Sequence, residues 1–426
     1  MSTQGGKRIV VTGMGIVSPL GCGVEPVWQR LVSSQSGLRK LAAEIAPDVP
    51  CQVAGQVPTD GDEHAFDIDV HVSPKDQKKM DRFIAFAIGA ATEAISQARW
   101  EPRTDHERAR TATVIASGIG GFPAIAHAVR TTDTRGARRL SPFTIPSFLS
   151  NMAAGWVSIR HGFKGPLGAP STACAASVQA IGDAARLIRA GEADIAVCGG
   201  TEASIDRVCL GGFASAKALS TSFNETPAAA SRPFDSARDG FVPGEGAGVL
   251  VIETLEHALR RGAAPLAELV GYGSSSDAYH LTAGPDSGEG AARSMMSALA
   301  QANLTPRDIG HLNAHATSTP VGDCGELAAI KTVFGQSKDL AISATKSATG
   351  HMLGAAGGAE AIFTIMALRD QVVPPTLNLV DPDPLAAGLN LVGPMSRQWD
   401  FHHAISNGFG FGGVNASVIF KRWLAK

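Results

Sequence analysis

The stretch "GPLGAPSTACAASVQAIGDAARLIRAGEADIAVCGG", residues 165–200, decides the fold. A turn of small residues runs into a helix that starts at Cys174. Val178, Ile181, Ala185 and Ile188 recur on one helical face, and Gly191 stops it. "ADIAVCGGTEAS" (193–204) then reads as a buried strand. Upstream, "ARTATVIASGIGG" (109–121) is a strand entering a glycine turn, and "RIVVTGMGIVSPLG" (8–21) is a strand followed by glycines. "SPKDQKKMDRFIAFAIGAATEAISQA" (73–98) reads as one helix, with Ser73 as N-cap and Pro74 at its first position.

The second half repeats this order. "APLAELVGYGSSSDAYH" (264–280) is a strand, "DSGEGAARSMMSALAQA" (286–302) a helix, and "DIGHLNAHATST" (308–319) a strand ending in a polar turn. "GAAGGAEAIFTIMALRD" (354–370) is helical, and "HHAISNGFGFGGVNASVIF" (402–420) is strand, glycine turn and strand. "QAIGDAARLIRAGEA" (179–193) aligns with "EAIFTIMALRDQVVP" (360–374). Two copies of one βαβ-rich unit predict a duplicated α/β architecture. The helix beginning near Cys174 then corresponds to the one beginning near Gly354, and a pseudo-twofold brings the two helix starts together.

A chain of 426 residues, 44% hydrophobic and 18% charged, fills two ordinary domains or one large one. A formal net charge of -2 gives no bulk attraction to nucleic acid. The six cysteines (Cys22, Cys51, Cys174, Cys198, Cys209 and Cys324) form no CxxC pair and no zinc spacing with histidine, so they read as free thiols in a reducing compartment. The start "MSTQGGKRIVVTG" has no signal-peptide pattern, and no run approaches the ~18 apolar residues of a membrane span. The expected location is the cytoplasm.

Familiar motifs fail. Gly13 and Gly15 begin a dinucleotide fingerprint, but Ser18 and Pro19 break it, which disfavours a dinucleotide-binding oxidoreductase. No GxxxxGK[ST], GxSxG or HExxH is present, so a metal site is not expected.

What remains is one cysteine and two histidines. A helix N-terminus lowers the pKa of a thiol, so Cys174 needs no cationic neighbour. Taken singly, such a cysteine is more often a small core residue than a nucleophile. His315 in "LNAHATSTP" lies at the end of an apolar strand and His351 in "ATKSATGHMLGAAGG" just before the second long helix, both among small residues. Together with Cys174 they read as nucleophilic thioester chemistry. Lys346 precedes His351 by about one and a half helical turns; if buried it needs a partner, and Glu360 is the best candidate.

The set of motifs resembles the β-ketoacyl-acyl carrier protein synthases of the elongating, type II kind: "GPLGAPSTACAAS", "RPFDSARDGFVPGEGAGVLVIE", "NAHATSTPVGD", "TKSATGHMLGAAG" and "NGFGFGGVNAS" occur in family order. The resemblance implies a five-layered αβαβα thiolase-like fold, with an N-terminal half (1–264) carrying the nucleophile and a C-terminal half (265–426) carrying the histidines. It implies a homodimer that binds no nucleic acid or membrane. Cys174 matches the acyl-accepting nucleophile, with the amides of Cys174 and Phe411 as oxyanion hole. His315 and His351 match the residues that bind the malonyl thioester oxygen, with Lys346 and Glu360 behind them. Ile119, Phe213, Phe241, Thr282, Thr317, Thr319 and Gly410 match substrate-contact positions, and Phe411 a gate to the acyl pocket. Lys75, Lys78, Lys79, Arg135, Arg138 and Arg139 match a docking surface for the acidic acyl carrier protein; as sequence they read equally as a solvated basic face. No cofactor is implied beyond the phosphopantetheine that the carrier brings. A polyketide or nodulation-type ketosynthase would use the same chemistry on a different chain. A non-catalytic partner subunit is disfavoured by the intact trio.

Overall fold

A computed structural model describes residues 7–424. Met1–Gly6, the start of the stretch read as lacking a signal peptide, lie outside the described residues. The large sheet runs through strands β1 (Ile9–Ser18), β2 (Thr111–Ala116), β3 (Leu167–Gly168), β4 (Ile195–Glu202), β5 (Gly246–Thr254), β6 (Ala267–Ser276), β7 (His311–Asn313), β8 (Ala341–Ser343), β9 (Asn390–Leu391), β10 (His403–Gly410) and β11 (Val414–Arg422). Five helices frame it: α1 (Arg82–Ala98), α2 (Ala176–Ala190), α3 (Glu289–Ala302), α4 (Pro320–Phe334) and α5 (Ala356–Asp370).

The strand order is β9-β8-β7-β10-β11-β6-β1-β5-β4-β2-β3, and the first five strands outward from the β6/β1 junction correspond on the two sides, with β9 an extra parallel edge strand beside β8. In each half two antiparallel pairings are followed by two parallel ones: β1/β5 and β5/β4, then β4/β2 and β2/β3; β6/β11 and β11/β10, then β10/β7 and β7/β8. Helices α2 and α5 touch each other and both halves of the sheet, so they form the central layer. Helix α1 covers the outer face of one half, and α3 with α4 covers that of the other. The result is the five-layered duplication that the sequence implied. Among the described residues no helix is long and apolar enough to cross a membrane.

Three local expectations fail for identifiable reasons. β1 does not end at its glycines but runs through Gly13 and Gly15. A Cβ at either would fall 2.0 Å from a carbonyl oxygen of α1, Ala94 or Ala90. These glycines let helix and strand backbones touch; they do not cradle a phosphate. The segment 73–98 is two helices, because Asp81 caps a new start by accepting from the Phe83 amide. Ser73 and Pro74 begin only a four-residue turn, Pro74–Gln77. Finally, the halves superpose one residue away from the sequence alignment. Three-residue 3₁₀ turns, Ala173–Ala175 and Leu353–Ala355, each lead into fifteen-residue helices. Both helices end in left-handed residues, Gly191 and Gln371. The offset is therefore 180, not the 181 of the aligned strings.

Candidate active site

Cys174 is the middle residue of the first 3₁₀ turn, two positions before α2 begins, and not the first residue of the long helix. Ala173 stands at φ 49°, a left-handed conformation that costs a non-glycine residue free energy and marks a constrained turn. Gly410, at the end of β10, lies against this turn. A Cβ there would sit 2.7 Å from the Thr172 carbonyl oxygen and 3.1 Å from the Cys174 nitrogen. Only glycine lets the two segments approach so closely.

The sulfur forms part of the wall of a cavity of about 540 Å³. His315 and His351 line the same cavity. His351 Nε2 is 2.9 Å from Cys174 Sγ, and the two imidazole centroids are 5.4 Å apart, nearly perpendicular. One ligating atom from each of Cys174, His315 and His351 lies within 4.8 Å of the others. The sequence separation of 177 residues is closed here because the turns that lead into α2 and α5 pack against each other.

Lys346 is buried, and its Nζ donates to Glu360 Oε1 at 2.5 Å. The expected partnership forms, although neither residue lines the cavity. Lys346 and His351 do not share a helix. Gly350, at φ 67°, ends the short helix Lys346–Thr349, and His351 pairs with Pro243 in an isolated bridge.

The thiol departs from the sequence expectation. Burial pushes Cys174 up to about 12, with Glu202 adding to the rise, against the lowering influence of Lys346 and of the Phe411 and Cys174 amides. Facing the cavity exposes part of the side chain, but protein encloses it on every other side. The resting group is a thiol. Those two amides nevertheless favour negative charge at the sulfur. Burial holds His315 and His351 well below 6.5, with Lys346 lowering both further, so both rings are neutral at pH 7. The Nδ1 atoms of both rings are buried without a partner, so no hydrogen bond at that nitrogen fixes their tautomer.

All the remaining substrate positions meet in this cavity: Ile119, Phe213, Phe241, Thr282, Thr317, Thr319, Gly410 and Phe411. Phe213 packs edge-on to Phe241, and Phe241 edge-on to His351. Thr317 and Thr319 share a hydrogen bond of 3.1 Å, and Thr319 caps α4. Phe411 is 40% exposed. Lys75, Lys78, Arg135, Arg138 and Arg139 are exposed; Lys79 is half-buried and paired with Asp76 at 2.7 Å. Its ammonium also lies over the Phe143 ring, which brings the lysine segment against the loop that follows the arginines.

Two carboxylates were missed. Glu326 accepts from the amides of His315 and Ala316 and from Asn407 Nδ2, and so ties the histidine loop to β10. Glu202 accepts from Ser117 Oγ and the amides of Gly118 and Gly354. Burial pushes Glu202 up to about 7. The sequence signal was a lone carboxylate inside an apolar run: "TEAS" closing β4, "GELAAI" within α4.

Comparison with known proteins gives the family of the chain. The β-ketoacyl synthase N-terminal domain model matches residues 6–258, and the C-terminal domain model residues 266–380. The chain is 49% identical to 3-oxoacyl-[acyl-carrier-protein] synthase 2 of Rhizobium meliloti, over 98% of this chain and 99% of that one. A β-ketoacyl synthase from Burkholderia phymatum superposes with a TM-score of 0.90 at 33% identity, covering 98% and 100% of the two chains. A type II polyketide ketosynthase, solved in complex with its acyl carrier protein bound to the hexaketide, superposes at 0.88 with 32% identity and the same coverage.

Proposed function

We propose a residue-level reaction cycle for this chain, which belongs to the β-ketoacyl synthase family and is an acyltransferase of the condensation step in fatty-acid elongation. The observation that carries the cycle is the Cys174–His351 contact of 2.9 Å at the wall of a largely apolar cavity.

The acyl donor is an acyl group on an acyl carrier protein, the partner for which the Rhizobium synthase is named. The Cys174 thiol attacks the thioester carbonyl and passes its proton to His351 Nε2. The carbonyl oxygen gains negative charge and is met by the Cys174 and Phe411 amides. The tetrahedral intermediate expels the pantetheine thiolate, which takes the proton back from His351. Acyl-Cys174 and a free carrier thiol result. Malonyl-carrier then enters, with Thr317 and Thr319 on its pantetheine arm. N–H groups of His315 and His351 bind the thioester oxygen; an unpinned tautomer lets His351 serve as acceptor in the first half and donor in the second. The malonyl carboxylate leaves as CO₂, and its electron pair becomes the enolate. The enolate carbon attacks the acyl-Cys174 carbonyl. The Cys174 sulfur leaves as a thiolate and takes a proton from solvent, releasing a β-ketoacyl chain two carbons longer on the carrier. The Lys346–Glu360 pair stands behind the histidines, where the Lys346 ammonium adds to the burial that keeps them neutral. The cycle uses no metal and no cofactor of the protein's own.

Ile119, Phe213 and Phe241 shape the acyl pocket, Thr282 and Gly410 border it, and Phe411 gates it. Lys75, Lys78, Lys79, Arg135, Arg138 and Arg139 receive the acidic carrier. The boundary between the halves falls at 264/265, the working unit is a homodimer, and the enzyme works in the cytoplasm. Elongation of fatty acids is favoured over polyketide assembly by the 49% identity to the Rhizobium synthase against 32% to the polyketide enzyme. Incubation with acyl-carrier and malonyl-carrier tests the reading. It requires CO₂ release and a β-ketoacyl product two carbons longer; hydrolysis of the acyl thioester without chain growth would refute it.

A further inference from the structure

The active-site trio is also a ligand set. A cysteine sulfur and two imidazoles suit a borderline-soft divalent cation such as Zn²⁺. With Zn–S of ~2.3 Å and Zn–N of ~2.0 Å, tetrahedral ligand atoms stand roughly 3.3–3.8 Å apart. Here the three ligand atoms all lie within 4.8 Å of one another, and the closest pair is 2.9 Å apart. Small side-chain rotations close that difference. All three residues line the cavity, so a fourth coordination position opens into it.

We propose that Cys174, His315 and His351 bind one Zn²⁺ per chain as a reversible inhibitor. The S–H bond breaks, its proton goes to solvent, and a Zn–S bond forms. The imidazoles give their lone pairs, and water fills the fourth position. The bound metal blocks the nucleophile and occupies the N–H donors' place, so acylation and metal binding exclude each other. The surroundings make this a removable ligand and not a resident one. Resident sites anchor the second nitrogen of each histidine to a carboxylate or carbonyl. Here both Nδ1 atoms are buried without partners. The nearby ammonium of Lys346 opposes a cation, but it is neutralised by Glu360 at 2.5 Å. The proposal rests on the geometry of the trio and not on the role of each member in the reaction.

Calorimetric titration of chelator-treated protein with Zn²⁺, paired with Co²⁺ absorption spectra, tests it. One equivalent is expected to bind, with a sulfur-to-cobalt charge-transfer band, and condensation is expected to stop and return when a chelator is added. Cys174→Ala and His315→Ala, each checked for native circular dichroism, are expected to bind at least tenfold more weakly, and Cys174→Ala to lose the band. A wild-type chain that binds no Zn²⁺, or a Cys174→Ala chain that binds it with unchanged affinity, would overturn the proposal. Condensation by the metal-free chain is measured in parallel, so failure of the metal site and failure of the reaction cycle give different results.

Discussion

The two 3₁₀ turns at the centre of the molecule are copies put to different uses. Ala173–Ala175 and Leu353–Ala355 both open with a residue in the left-handed region, φ 49° at Ala173 and 47° at Leu353. Both feed a fifteen-residue helix. At their middle positions stand Cys174 and Gly354. Cys174 faces the cavity. Gly354 faces inward: a Cβ there would fall 2.2 Å from the Gly118 nitrogen and 2.7 Å from Glu202 Oε2, and its amide donates to that carboxylate. The helices differ in the same sense. In α2 an outer face carries the half-buried Asp183 and the exposed Arg186, whereas Ala356 to Leu368 of α5 are buried on every side. The duplication has two equivalent turns; one carries the proposed nucleophile and the other is a strut that holds the loop around Ile119.

The largest effect that probes this contrast is removal of the thiol. Cys174→Ala should lower condensation by a factor on the order of 10⁴ or more, while the fold, held by the other turn, stays intact. Cys174→Gln should lose condensation and still decarboxylate malonyl-carrier, because both histidines remain; CO₂ release without chain growth is the readout. If Gln abolished decarboxylation as well, the two halves of the cycle would not be separable as described.

Gly354→Ala should do the reverse. Its methyl would meet backbone as well as the Glu202 carboxylate, so a stability loss of about 1–3 kcal/mol or more is expected in thermal unfolding. Gly410→Ala presses on the Cys174 amide and should cost about 10²-fold in turnover, the scale of a displaced oxyanion donor, with a smaller change in melting temperature. Equal effects of the two glycine variants on stability and on turnover would erase the distinction between strut and reaction centre.

Much of this was legible in sequence because it is local or periodic. The α2 face, its Gly191 stop and the repeated strand–helix order all show in the string. The trio was found through residue types in small-residue company, and the cavity then gathered every substrate position named from the motifs. What stayed hidden depends on distant packing. Gly13 and Gly15 looked like a turn because nothing local shows a helix backbone lying on them. Asp81 splits a helix through its side-chain cap and through its amide, which donates to the Ser147 carbonyl sixty-six residues away. The thiol was expected to be acidified by a helix end, yet enclosure by chain from both halves outweighs that influence. Glu202 and Glu326 have meaning only through the amides they receive.

Smaller effects sharpen the picture at its edges. Charge reversal by Lys78→Glu with Arg138→Glu should raise KM for carrier-bound substrates about tenfold and leave kcat unchanged. An unaltered KM would move the docking surface elsewhere. The smallest expected effect is an absence of change. Because burial keeps His315 and His351 neutral well below 6.5, malonyl decarboxylation by Cys174→Gln should show no inflection near that pH and should decline only in more acidic solution. A rate that falls by half at pH 6.5 would mean that the rings titrate as ordinary histidines.

Intact-protein mass spectrometry after mixing with acyl-carrier tests whether Cys174 is the acyl acceptor. One acyl group per chain is expected, mapped to Cys174 by peptide analysis, that disappears when malonyl-carrier is added and is recovered in a chain two carbons longer. An acyl group on any other residue, or condensation at wild-type rate by Cys174→Ala, would contradict it.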